Sequence, residues 1–241
     1  LECPVCQDSQ QQPFGDKDGY SLYQCQGCEF VHVFPIPSDD ELSAFYEDYH
    51  KTHQYASKAA SKTRRARKRI QRLQSLTAGR RFVDIGCNAG FAVEAARSLG
   101  WQALGIDIDS IAIEEARRLF DDASFEAISV QSLAQKGEKF DLIYCSEVIE
   151  HLPELDSFLE SVSGLMHEQS LLYLTTPDLG HFKLRFPFRG EPLLSWDAVR
   201  PPEHLFYFQK NNLSDLLTRT GFSQIRYQFS LQPTIKAVVR L

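Results

Sequence analysis

The sequence predicts an α/β fold, a doubly wound and mostly parallel sheet preceded by a small module held by cysteines. Three observations carry this expectation: two Cys-x2-Cys pairs near the N-terminus, short apolar strands alternating with amphipathic helices from Arg81 onward, and a glycine-containing loop directly after the first of those strands. With 241 residues, 43% of them hydrophobic and 24% charged, the chain has material for one large domain plus a module rather than two full domains. Its 26 Lys+Arg against 32 Asp+Glu give a net charge of −6, which excludes a uniformly basic nucleic-acid-binding surface. No apolar run reaches the roughly 18–20 residues of a membrane helix and no secretory pattern opens the chain, so a cytoplasmic protein without a membrane span is expected.

The N-terminal pairs are Cys3-x2-Cys6 and Cys25-x2-Cys28, with eighteen residues between them. That is zinc-ribbon spacing: each knuckle turns two thiolates toward one point, and the intervening stretch can form a hairpin. A structural Zn2+ on Cys3, Cys6, Cys25 and Cys28 is therefore expected, with no open coordination position, in a ribbon spanning residues 1–37. Cys87 and Cys145 fall inside apolar segments and read as buried thiols.

Residues 38–80 read as a helical, basic linker and cap. A helix over Ser38–Tyr49 would be capped by Ser38 or Asp39. From Tyr49 to Val83 there is no acidic residue but eleven basic ones, including Lys51, Lys58, Arg64, Arg65, Arg67 and Arg69. Helical spacing over Thr63–Leu76 turns Ile70, Leu73 and Leu76 toward the next domain and leaves the cations in water, a reading favoured over attraction of a phosphate-bearing substrate.

From residue 81 to 241 the pattern is that of one α/β domain. Strands are expected at Phe82–Ile85, Ala103–Ile106, Phe125–Ile128, Leu142–Cys145 and Leu171–Thr175, with helices at Phe91–Leu99, Ile111–Phe120, Leu155–Met166 and Asn212–Thr220. Gln224–Ser230 and Thr234–Val239 complete a seven-stranded sheet. After the first strand, the loop Asp84-Ile85-Gly86-Cys87-Asn88-Ala89-Gly90 lacks the glycines at 88 and 91 that a dinucleotide fingerprint requires. Its carboxylate suits a cationic ligand instead.

This loop resembles motif I of the class I S-adenosylmethionine-dependent methyltransferases, whose sheet is Rossmann-like, with Asn88 in place of the middle glycine. The resemblance implies cofactor contacts from Asp84, Gly86, Cys87, Asn88 and Gly90. It implies ribose binding by Asp107, with Asp109 as the competing choice, and further contacts from Ile108, Ser129, Val130, Ser146 and Glu147. The ribbon, the stretch Phe140–Leu152 and the segment Pro202–Phe208 resemble bacterial methyltransferases with a zinc-ribbon leader. An insertion at about 177–202, rich in aromatic residues and containing Phe182, Arg185, Phe186, Phe188, Arg189 and Trp196, is expected to form a substrate lid.

Glu147, Glu150 and His151 would share one face of a helix following the fourth strand. The E-x-x-E-H pattern with a later histidine is similar to that of ubiquinone-type O-methyltransferases and of enzymes modifying the 3′-terminal ribose of small RNAs. His204 is the later histidine, His181 the second candidate. A second divalent metal at Glu147, Glu150 and His151 is the metal-assisted reading; the metal-free one, with His151, His204 and Glu150 as catalytic groups, is preferred because hard cations usually take more oxygen ligands. The expected function is S-adenosylmethionine-dependent O-methylation of a small-molecule acceptor. Its rivals are RNA ribose 2′-O-methylation, against which the net charge and the lack of a recognised RNA-binding module weigh, C-methylation of a nucleotide-linked sugar, and an inactive zinc-ribbon binding module.

Overall fold

A computed structural model describes residues 2–38, 40–42, 44–45, 59–185 and 193–241. The ribbon strands are β1 (Gln11–Lys17), β2 (Tyr20–Cys25) and β3 (Val31–Val33). Helix α1 (Ala59–Leu73) precedes β4 (Arg81–Ile85), α2 (Phe91–Arg97), β5 (Gln102–Asp107), α3 (Ser110–Leu119), β6 (Ser124–Ala127), α4 (Val130–Gln135) and β7 (Leu142–Ser146). There follow α5 (Leu155–Gly164), β8 (Leu171–Pro177), the short α6 (Phe182–Arg185), β9 (Phe206–Tyr207), α7 (Lys210–Arg219), β10 (Gln224–Tyr227) and β11 (Thr234–Arg240).

Seven strands form one sheet in the order β10-β11-β8-β7-β4-β5-β6. Counted in chain order from β4 and read from the β6 edge, this is 3-2-1-4-5-7-6, with the reversal of direction between β4 and β7. The pairs β4/β5, β4/β7 and β5/β6 are parallel, as short apolar strands joined by helices require. Every strand expected from Arg81 onward is present, with ends displaced by a few residues. Gly100 follows α2 as the expected stop.

The chain divides into two compact units. The first comprises Leu1–His53, Glu147–Leu155 and Thr175–Ala237. Its second sheet, β1-β2-β3-β9, pairs Val31 with Tyr207 and His32 with Phe206. Its core is Leu22, Val31, Val33, Leu179, Val199 and Tyr207, against which Phe14, Tyr20, Leu193, Leu194 and Trp196 pack. Thus the residues 193–196 of the expected lid rest on the ribbon hairpin, where Lys17 Nζ donates to the Leu194 carbonyl at 2.7 Å. Phe186, Phe188 and Arg189 lie outside the described residues, as do Asp39 and most of the expected Ser38–Tyr49 helix. Ser38 does start a helical turn: its hydroxyl accepts from the Glu41 N–H while the Glu41 carboxylate accepts from the Ser38 N–H.

The second unit comprises Gln54–Ser146, Asp156–Leu174 and Val238–Leu241. Ala66, Ile70 and Leu73 of α1 bury against Phe82, Trp101, Leu142, Tyr144 and Tyr173. Leu76, expected on the same face, is exposed, because the α-helix ends at Leu73 and a 3-10 turn over Gln74–Leu76 rotates it outward. Arg64, Arg65, Arg67, Lys68 and Arg72 are exposed, whereas Arg69 donates to the Tyr144 hydroxyl at 3.2 Å. Lys51 and Lys58 lie outside the described residues. If the exposed cations were an RNA track, a single-stranded RNA oligomer would bind with steep salt dependence. The solvated-face reading expects no such binding in a fluorescence titration; micromolar affinity lost on charge reversal of Arg64, Arg65, Arg67 and Lys68 would refute it.

Candidate functional site

The loop after β4 stands at the carboxyl end of the central strand, beside the reversal of sheet order where ligands of such sheets bind. Gly86 and Cys87 donate their backbone N–H groups to the Ile106 carbonyl at 2.9 and 3.0 Å, which ties the loop to β5. Asn88 sits at φ 48°, a left-handed conformation that asparagine tolerates better than most side chains, so it can stand where the related motif has glycine. Its N–H donates to Asp107 Oδ2 at 2.9 Å, and the Asp109 N–H donates to Oδ1 at 3.0 Å. Asp109 itself caps α3 by accepting from the Ile111 N–H. Of the two carboxylates, Asp107 is therefore the one turned to the loop.

Asp84 is buried, and burial together with the charge of Asp107 pushes its carboxyl well above the usual range. Asp107 is raised by burial as well, partly offset by its backbone N–H donors. Neither has an ion-pair partner among the described residues. Two adjoining acids, Asp84 buried and Asp107 half-buried, form a site that a positively charged ligand relieves, and this fits the ammonium and sulfonium of S-adenosylmethionine. Cys87 is buried and its thiol is pushed up by burial, so it lines the loop as an uncharged group. Ile108 projects into water at 78% exposure next to Asp107. Ser129 does not end β6, which stops at Ala127; it caps α4 by accepting from the Ser132 N–H, and Val130 is buried in the first turn of that helix. Ser146 ends β7 and bonds the buried Tyr144 hydroxyl.

The E-x-x-E-H stretch does not form the expected α-helix. Glu147 takes φ 58°, its N–H donates to the Thr175 carbonyl at 2.9 Å, and its carboxylate accepts from the Thr175 hydroxyl at 2.7 Å. Only Ile149–His151 turn, as a 3-10 helix. The three side chains consequently do not share a face, and Glu147 is exposed outside the cluster that does form. That cluster is Glu150, His151 and His204, whose ligand atoms lie within 4.8 Å of one another. A second metal centred on Glu147, Glu150 and His151 is thus corrected to a donor set in which His204 takes the place of Glu147. His181, the other candidate histidine, lies elsewhere, with its Nε2 beside the Ser230 carbonyl at 3.1 Å.

Glu150 is fully buried; Oε2 accepts from Thr176 Oγ1 at 3.0 Å and Oε1 has no partner. Burial, and then the Glu147 charge, push its carboxyl well above the usual range. Burial lowers His151 to about 4, against which its ring N–H donating to the Glu203 backbone carbonyl acts weakly. His204 is lowered to about 3 by burial, His151 and Arg200. Its Nδ1 donates to the Ala198 carbonyl at 2.8 Å, so Nε2 carries the lone pair, and this faces the Arg200 guanidinium at 3.3 Å. The histidine rings meet edge to face, 4.7 Å between centroids. The cluster thus combines a carboxyl pushed toward its protonated form by burial with two imidazoles lowered toward their neutral form. Arg200, four residues before His204, and the Thr175-Thr176 pair were not anticipated; the stretch Arg200-Pro-Pro-Glu-His204 held the only local signal.

In the ribbon, Cys3 and Cys28 Sγ are 3.6 Å apart and Cys6 and Cys25 Sγ 3.5 Å, with all four within 4.8 Å. A tetrahedron with zinc–sulfur bonds of about 2.3 Å has edges of about 3.8 Å. The separations fit such an ion and are far too long for disulfides. Hydrogen bonding with Cys28 lowers Cys3 to about 5, a thiolate at neutral pH, while the Cys28 thiol is correspondingly raised.

A family model described as a methyltransferase domain matches residues 53–227. The chain belongs to that methyltransferase-domain family. Curated relatives include the ubiquinone biosynthesis O-methyltransferase of Brucella ovis, 33% identical over 102 residues, and that of Chelativorans sp., 35% identical over 102 residues. The matched stretch is 41% of this chain and 41% or 40% of those relatives' length. Similar solved structures include a SAM-dependent methyltransferase from Archaeoglobus fulgidus, with TM-score 0.57 and 16% identity over 74% of this chain and 94% of that one. A second is the 1,6-didemethyltoxoflavin-N1-methyltransferase of Burkholderia thailandensis, with TM-score 0.59 and 15% identity over 95% and 97%. These likenesses give the class I methyltransferase fold. Among the described residues no helix is long and apolar enough to cross a membrane.

Proposed function

We propose that this methyltransferase-family chain transfers the methyl group of S-adenosylmethionine to an oxygen of a small-molecule acceptor, with His151 taking the acceptor's proton. The observation that carries the reading is the Glu150–His151–His204 cluster, in which the acid and first histidine just after β7 meet the second histidine from the segment before β9. When bound, the cofactor supplies an electrophilic methyl on a sulfonium. Asp84 would meet its ammonium and Asp107 its ribose hydroxyls, with Ile108, Ser129 and Val130 toward the adenine and Gly86, Cys87, Asn88, Gly90, Ser146 and Glu147 completing the contacts. The chain's own work is to orient the acceptor and remove its proton. Glu150, its carboxyl pushed up by burial and its Oε1 without a hydrogen-bond partner, suits a hydrogen bond to that acceptor, and His151 is turned by the Glu203 carbonyl so that its other nitrogen accepts. A structural zinc on Cys3, Cys6, Cys25 and Cys28 completes the assignment. The names of the ubiquinone O-methyltransferase relatives support oxygen as the methylated atom.

The test is incubation with methyl-labelled cofactor and a panel of small phenols, alcohols and amines. Label on oxygen is expected; label found solely on carbon or nitrogen would overturn the choice. Asp107→Ala should weaken cofactor binding by about 1–3 kcal/mol in calorimetry. Because Asp84 and Asp107 are raised in the free protein, binding a cation releases protons, and affinity should rise with pH through their titration range. An affinity that falls with rising pH would remove the carboxylates from the cofactor contacts.

A second reading rests on the donor set itself: Glu150, His151 and His204 could hold a divalent ion that lowers the pKa of the acceptor hydroxyl. Arg200 at the His204 lone pair disfavours a cation there. With the ribbon reloaded by one equivalent of Zn2+ after dialysis against a chelator, turnover is expected without any further divalent ion. Loss of turnover restored by magnesium, manganese or iron, but not in Glu150→Gln, would establish the metal-assisted version instead.

A further inference from the structure

We propose that the cysteine ribbon is a positioning device for the histidine cluster, because the strand that extends the ribbon sheet belongs to the segment carrying His204. Its catalytic meaning rests on the function proposed above; the coupling itself does not. All the residues concerned lie in the first unit. From the metal knuckles the path runs two ways. Along the sheet, β3 pairs with β9, the Val33 N–H donates to the Leu205 carbonyl at 2.9 Å, and the Leu205 N–H donates to the Glu150 carbonyl at 2.8 Å. One residue thus ties the ribbon to the backbone of the acid, while the Tyr207 hydroxyl donates to the His204 carbonyl at 2.7 Å. The Phe30 ring, two residues past Cys28, packs against Phe206 and Phe208 at 5.7 and 5.1 Å between centroids, all three being buried.

On the other side α7 grips both knuckles. Arg219 donates from Nε to the Val5 carbonyl at 2.9 Å and from Nη2 to the Pro4 carbonyl at 3.0 Å, and Asn212 Nδ2 reaches the Cys28 carbonyl at 3.4 Å. Each is a carbonyl that a four-sulfur clamp would hold still. With four ligands in a closed tetrahedron a zinc there has no reaction to perform, yet its knuckles are bracketed by the helix that follows His204 and by the strand that contains its neighbours. A tail that merely decorated the fold would need neither.

The experiment compares the full chain loaded with Zn2+ and stripped by chelator, using hydrogen exchange and ¹⁵N-histidine spectra. Stripping is expected to raise exchange in peptides covering 203–209 at least about tenfold and to broaden the His204 ring signals, whose tautomer the Ala198 carbonyl fixes, while peptides covering 82–90 change less than about twofold. Arg219→Gln, which leaves all cysteines in place, is expected to speed zinc loss to a chromogenic chelator and to loosen the same peptides. Loosening confined to residues 2–30, protection lost equally at 82–90, unchanged His204 signals, or a chain that retains no zinc after gel filtration would each overturn the proposal. A chain that methylates no acceptor would still give the expected exchange result, so failure of the coupling and failure of the functional reading are separately visible.

Discussion

His151→Gln is expected to lower kcat by about 10²–10⁴-fold, the usual worth of a positioned general base, while leaving S-adenosylmethionine affinity nearly unchanged. The choice of His151 over His204 follows from the hydrogen bonds. His204 spends its N–H on Ala198 and turns its lone pair to the Arg200 guanidinium. His151 spends its N–H on the Glu203 carbonyl, and the Arg200 charge is the smallest of the influences that shift it. His204→Asn should therefore cost less than His151→Gln in kcat, and the reverse order would exchange their roles. A pH signature accompanies the prediction. Folded His151 is lowered from 6.5 to about 4, so the folded state binds fewer protons than the unfolded chain. The stability this contributes is present above pH 6.5 and is lost as pH falls through about 4, amounting to about 3 kcal/mol. Zn2+-loaded wild type should lose stability toward acid more steeply than Zn2+-loaded His151→Gln in urea titrations; parallel curves would mean that the fold does not hold the imidazole neutral.

What could be read from the sequence is what local spacing encodes. The two Cys-x2-Cys knuckles meet because each is a tight turn and a hairpin joins them. The strand–loop–helix at Asp84–Gly90 forms because apolar period and glycine placement agree there. The parallel sheet follows from the alternation of strands and helices. What could not be read depends on partners distant in the chain. Glu147, Glu150 and His151 have helical spacing, yet Thr175 on β8 captures both the backbone N–H and the carboxylate of Glu147 and holds it left-handed, which leaves only a 3-10 turn. Helical propensity over so few residues is too weak to resist two such bonds. β9 has only two residues and no period of its own; it exists because β3 offers it an edge. Arg200 acquires its meaning only when His204 is packed beside it. The loop after β4, being one continuous segment, was therefore legible as a strand–loop–helix, whereas the histidine cluster, drawn from segments about fifty residues apart, was legible in its members but not in its geometry.

Gly90→Ala should destabilise the chain by about 2–5 kcal/mol and weaken cofactor binding with it. Gly90 sits at φ 78° at the start of α2, where an L side chain costs about 1–2 kcal/mol. A Cβ there would also lie 2.5 Å from Phe125 Cζ, 2.6 Å from Cε1 and 3.3 Å from Ala116 Cβ. Phe125 and Ala116 are buried with Cys87, Val93 and Ile113, so the ring cannot swing away without disturbing that cluster, and overpacking adds about 1–3 kcal/mol. The two contributions can be separated. Gly137, at φ 72° with no atom within 4 Å of a Cβ, should show the backbone cost alone when changed to alanine. Phe125→Leu in the Gly90→Ala background should relieve part of the steric cost but none of the backbone cost, giving a coupling in a double-mutant cycle. Urea midpoints supply the stabilities and calorimetry the cofactor affinity. If Gly90→Ala cost no more than Gly137→Ala, the loop would not be packed against Phe125 in solution, and the rigid loop that the cofactor assignment requires would be lost with it.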